Sequence, residues 1–197
     1  GGELLLWFAS ERGLAPAEVK AARDLAARGT EVWQFDLVSA FFLPQTNSSM
    51  DGLAAADMRA IFAAARKTGL ALSVYAVNRA AVPVLRGLSG QGEGRTRVLL
   101  MHPHFYVSVD TLAGADYLSF GSLEGVDALI LQPRRSAATP WVENQLAALR
   151  AAGAKAQVLM LDKLREGFWV RDSATAFEIG EGERLAEHVA EWRMRFE

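Results

Sequence analysis

Tyr75-Ala76-Val77-Asn78-Arg79-Ala80-Ala81 is the stretch whose reading decides the fold. Leu70–Ala76, which leads into it, is an apolar run of strand length, and Ala80–Leu88 behind it reads as a short helix. The strand therefore passes into the helix through a turn of only a few residues. Small side chains at Ala76 and Ala80 let the backbone reverse closely on either side of Asn78. The middle of so sharp a turn takes a positive φ, and asparagine is among the few non-glycine residues that accept it at low cost. Asn78 brings an amide to that point and no hydroxyl.

Outward from the turn, strands alternate with helices, which predicts a mainly parallel six-stranded sheet with helices on both faces. The first strand is Leu4–Ala9, an almost unbroken apolar run as expected of a strand covered on both sides. Pro16 opens a helix with Val19, Ala22, Leu25 and Ala26 on one stripe, ending near Gly29. Glu31–Leu37 is the second strand. Ser48 and Ser49 then read as caps for a helix that buries Met58, Ile61, Phe62 and Ala65. Beyond the turn, the glycine-rich run Gly87 to Gly94 is a connection before strand four, Arg97–Met101. Pro103 to Gly125 reads as irregular, with Phe105, Tyr106, Tyr117 and Phe120 as a small lid or as loop anchors. Ala128–Leu131 is strand five. Thr139-Pro140 caps and opens the helix Trp141–Ala152, Gln157–Leu161 is strand six, and Glu183–Phe196 is one last helix. No linker, repeat or low-complexity tract divides the 197 residues, so a single domain over 1–197 is expected.

The bulk numbers exclude several functions. Apolar residues form 51% of the chain and charged residues 22%, an ordinary globular balance. A net charge of −2 and a pI near 6.0 leave no electrostatic footprint for nucleic acid. With no cysteine, disulfides, thiolate metal sites and cysteine nucleophiles are excluded. No apolar run has the length of a membrane-spanning segment, and none reads as a signal peptide. The chain opens on Gly1-Gly2 and not on methionine, which predicts a removed leader or excision from a longer protein.

Asn78 between Ala76 and Ala80 has the small-x-nucleophile-x-small layout of the elbow in α/β-hydrolases, and from there the chain resembles that superfamily over nearly its whole length. The resemblance implies a truncated, three-layer α/β-hydrolase-like sandwich that lacks two N-terminal antiparallel strands. It also implies a degenerate triad. Asn78 stands for the nucleophile, Arg134 in Gln132-Pro133-Arg134-Arg135 for the acid, and Glu166 for the histidine. Five further segments are similar to bacterial α/β-hydrolase-like domains, often secreted and sometimes joined to a thioredoxin-like reductase domain. They are Glu31 to Leu37, Phe42-Leu43-Pro44 through Asp51, His102 to Tyr106, Ile130 to Pro133 and Arg165 to Phe168. A periplasmic or secreted location is implied, with the cytoplasm as the alternative.

Ligands of an open parallel sheet bind beyond the carboxyl ends of its strands, where strand order reverses. The resemblance puts the first strand between the second and third, so the crevice falls beside Ser10, Asp36 and Asn78. Arg79, His102 and His104 join them as binding candidates, with Arg135 and Asp162 on the same rim. The amides of residues 78–81 open a helix N-terminus, which suits a small anion. His102 and His104 lack a third ligand, so no metal is expected, nor any cofactor. His188 reads as a packing-edge residue. Gly90, Gly92 and Gly94 follow a helix and precede a strand, the wrong order for a dinucleotide loop. Trp7, Trp33, Trp141, Trp169 and Trp192 fall on five elements, as packing residues do.

Three functions remain open on these residues. One is a non-catalytic domain that binds a ligand or a protein partner. Another is an esterase- or thioesterase-like hydrolase working through Ser10, Asp36 or His102. The third is a structural module of a larger secreted redox protein.

Overall fold

Leu4, Leu5, Leu6, Trp7 and Phe8 are all fully buried, so the first strand has no solvent face and must lie inside the sheet. The computed structural model describes residues 2–91, 94–110 and 114–196. Its strands are β1 (Glu3–Phe8), β2 (Thr30–Phe35), β3 (Ala71–Val77), β4 (Thr96–Met101), β5 (Tyr106–Asp110), β6 (Gly114–Tyr117), β7 (Val126–Pro133) and β8 (Lys155–Leu161). Between and after them run α1 (Pro16–Ala27), α2 (Leu37–Ala40), α3 (Ala55–Arg66), α4 (Ala81–Leu88), α5 (Val142–Ala151), α6 (Ala176–Glu183) and α7 (Leu185–Arg193). Six strands form one sheet in the order β2-β1-β3-β4-β7-β8, and every pairing in it is parallel.

Alternation along β1 divides the core in two. Leu4, Leu6 and Phe8 point to the face covered by Met58 and Phe62 of α3, Val84 and Leu85 of α4, and Leu146 and Leu149 of α5. Leu5 and Trp7 point to the other, where Leu25 of α1 meets Leu185, Val189 and Trp192 of α7. Each such side chain contributes roughly 1.5–3 kcal/mol when fully withdrawn from water. The result is a three-layer α/β sandwich.

Several local expectations are corrected. Leu37 does not extend β2 but opens α2, because the Asp36 carboxyl caps that helix by accepting from the Ser39 amide at 2.9 Å. Ser48 and Ser49 do not cap α3, since a 3-10 turn at Ser49–Gly52 intervenes and Ala54 precedes the helix. The connection after β4 contains the antiparallel hairpin β5-β6, hidden in sequence by its mixed polarity. The last helix, α7, runs from Leu185 to Arg193, and a separate helix, α6, precedes it where no helix was expected. Gly87 belongs to α4, where a Cβ would come within 2.4 Å of the Met58 Cβ, so its missing side chain lets α3 and α4 touch. Gly92 lies outside the described residues.

Candidate active-site cleft

The carboxyl ends of β1, β3, β4 and β8 surround a cavity of about 380 Å³. Asn78 enters it from the turn after β3, and its φ of 53° is the left-handed conformation that the sequence demanded. The Asn78 Nδ2 donates to Glu11 Oε1 at 2.9 Å, which fixes the orientation of the amide. Glu11 follows β1 and is only 5% exposed. His102 follows β4, also at positive φ (36°), and its ring stacks on Trp169 with centroids 5.7 Å apart. The Gly167 amide donates to His102 Nε2 at 3.4 Å.

Burial pushes the His102 imidazole down to about 4, against the upward pull of nearby Glu166. It is neutral at physiological pH. Glu18, at the cavity edge, accepts from the Trp7 indole at 3.1 Å and the Ala15 amide at 2.9 Å, and burial raises its carboxyl above the usual range. The wall formed by Glu166, Gly167 and Trp169 is pinned from behind. Arg165 pairs with Glu178, which also closes a capping box with Thr175. The Arg165 hydrogen bonds hold the Glu178 carboxyl far below the ordinary carboxylate range. Gly182 lets α6 approach this wall, because a Cβ there would sit 3.1 Å from the Trp169 Cα.

No protein-family model matches the sequence, and no curated protein matches it. Solved structures do match. A Klebsiella pneumoniae protein assigned as a dienelactone hydrolase superposes with a TM-score of 0.64 at 16% identity, over 92% of this chain and 84% of that one. A hormone-sensitive lipase from a metagenome library gives 0.66 at 12% identity, over 96% and 78%. Esterase 2 of Thermogutta terrifontis, in its apo form, gives 0.59 at 12% identity, over 96% and 83%. The chain has the α/β-hydrolase fold.

Within this hydrolase fold, the strand-to-helix turn at Asn78 has the sharp geometry of a nucleophile elbow. Glu166 shares the cavity with Asn78, and the Ser136 hydroxyl donates to its carboxyl. Arg134 does not share it. That side chain is exposed and pairs with Asp162 at 2.5 Å.

The other candidates divide in the same way. Ser10 lines the cavity, and its Oγ accepts from the Arg12 amide at 3.2 Å. Asp36 is occupied as the α2 cap and also accepts from the Ser39 hydroxyl at 2.9 Å. Arg79 is buried in a bidentate pair with Asp51 and donates to the carbonyls of His104 and Tyr106, so it clamps the loop after β4 to the turn before α3. His104 turns to the Tyr106 hydroxyl at 2.6 Å, and burial lowers its pKa. His102 and His104 thus make separate contacts, one with Trp169 and the other with Tyr106. His188 stacks on Trp192 in α7, away from the cavity. No group of three or more His, Asp or Glu suited to a metal occurs among the described residues, and among them no helix is long and apolar enough to cross a membrane.

Glu11, Glu18 and Trp169 are among the cavity residues that sequence reasoning missed. Glu11 had a signal, since it follows Ser10 in the first loop after the strand at the reversal point. Trp169 had none, because its approach depends on the Arg165–Glu178 pair and on Gly182.

Proposed function

We propose that this is an α/β-hydrolase-fold domain that binds a small ligand in the cleft at Asn78 and performs no acyl transfer there. The observation that carries the reading is the Asn78–Glu11 hydrogen bond at the elbow. An amide nitrogen held by a carboxyl is not a nucleophile toward an acyl carbon, whereas a serine at that point needs an adjacent base to become one. The elbow geometry thereby supports a binding contact and not an attacking group.

One observation favours the rival reading of an ester hydrolase: Ser10 and His102 line the same cavity. Two others weigh against it. An imidazole held near 4 is a weak proton acceptor at neutral pH, far from the matched value a general base needs. Its Nε2 also faces the Gly167 amide. Incubation with a fluorophosphonate probe and a p-nitrophenyl ester panel tests the choice. No covalent label and no turnover above buffer are expected. Stoichiometric labelling of Ser10, or of any serine, would replace the binding domain with an enzyme.

A further inference from the structure

Glu11 Oε2, Asn78 Oδ1 and His102 Nδ1 are buried and have no hydrogen-bond partner among the described residues. The side chains that carry them line one cavity. Glu11 and His102 are 5% and 4% exposed, so bulk water reaches little of either residue. A buried polar atom without a partner is costly, and three around one cavity are a matched set awaiting complementary groups.

The roles of the three atoms follow from bonds already made. Asn78 spends its Nδ2 on Glu11, so Oδ1 is free only to accept. Glu11 uses Oε1 in the same bond, which leaves Oε2 as a second acceptor. His102 Nε2 accepts from the Gly167 amide, so in the neutral ring Nδ1 carries the hydrogen and donates. Two acceptors, one of them a carboxyl oxygen, thus stand with a single donor.

Charge points the same way. The carboxyls of Glu11, Glu18 and Glu166 line the cavity, whereas Arg12 and Arg171 are exposed at its rim. A carboxyl at the start of the α4 turn opposes the anion that the bare helix terminus would suit. The half-buried Trp169 adds an aromatic wall of the kind that attracts cations.

We propose that the cleft binds a small primary amine with a carbonyl oxygen beside it, as in an α-amino acid amide. Its ammonium is received by Glu11 and Asn78, and its carbonyl by the His102 Nδ1–H. The inference rests on the binding-domain reading above and adds the ligand class.

The test is isothermal titration of the whole chain with L-phenylalaninamide, N-acetyl-L-phenylalaninamide and phenylacetate. L-phenylalaninamide is expected to bind. Acetylation, which removes the charge, should weaken it about tenfold or more, as expected for losing hydrogen bonds to a charged group. Glu11→Gln should weaken the amine similarly, with circular dichroism as its fold control. The acetylated control needs no variant and holds even if that protein misfolds. Equal binding of the acetylated and free amines overturns the inference, and so does no binding of either. Binding of phenylacetate in their place overturns the ligand class while leaving the binding domain intact. Serine labelling by the fluorophosphonate is the separate result that would remove the binding domain itself.

Discussion

Asn78 combines two demands, a left-handed backbone and a hydrogen bond to Glu11, and substitutions can separate them. Asn78→Gly and Asn78→Val both lose the amide, but only valine forces a β-branched side chain into positive φ. Valine should therefore be less stable than glycine by about 1–2 kcal/mol, read from urea midpoints. Equal midpoints would mean that the turn relaxes. His102 makes a prediction about pH. Its value is 6.5 in the unfolded chain and about 4 when folded, so as pH falls the unfolded chain takes up the proton first. Stability is complete above about pH 6.5 and declines toward pH 4, by roughly 2–3 kcal/mol. His102→Asn keeps a residue that tolerates positive φ and removes the titration. It should flatten most of that decline in urea midpoints, with His104, also held down by burial, keeping a smaller slope in the same direction. The Glu178 carboxyl acts in a lower window, since a depressed value loses its stabilising effect only as pH falls below the unfolded carboxylate at 4.5.

At the scale of elements, the helices packed on the sheet were legible where apolar residues recur every third or fourth position, as in α1, α3 and α5. Boundaries set by a side-chain bond were not. The end of β2 depends on whether Asp36 caps a helix or continues a strand, and composition does not distinguish the two. The α3–α4 contact is a sharper case, because Gly87 reads as loop punctuation while acting as a packing surface. Gly87→Ala gains up to ~1 kcal/mol of helix propensity. It also places a methyl against Met58 and Phe62, where overpacking costs about 1–3 kcal/mol. A net fall in melting temperature is expected, and a rise would show that α4 can shift outward without loss.

Across the whole molecule, the loops after β1, β3, β4 and β8 meet in one cleft, while the loop after β7 turns Arg134 outward to Asp162. Building hydrolase chemistry at this turn is therefore a question of three loops and not of one residue. Asn78→Ser with Glu166→His places a hydroxyl and an imidazole in the shared cavity but supplies no acid at Arg134. Loss of the acid from a working serine protease lowers turnover by roughly 10⁴. The double variant should thus hydrolyse p-nitrophenyl acetate at a rate barely above buffer, with melting temperature as the fold control. Robust turnover would show that Glu11 or another carboxyl already orients the new imidazole.

The sequence by itself determined the α/β class, the six-stranded sheet and the left-handed turn at Asn78, because burial and backbone sterics act through residues close together along the chain. The position of β1 between β2 and β3 came from resemblance and is borne out by the strand order. Only the tertiary structure decided which polar residues have work left to do. Asp36, Arg79 and Arg134 find partners 3, 28 and 28 residues away, and Glu11, Asn78 and His102 each keep an unpartnered atom at one cavity. The Asp36 cap is local and turns on the backbone of one turn, whereas the Arg79 and Arg134 pairs and the grouping at the cavity depend on distances in space between segments far apart in the chain, which periodicity and spacing do not encode.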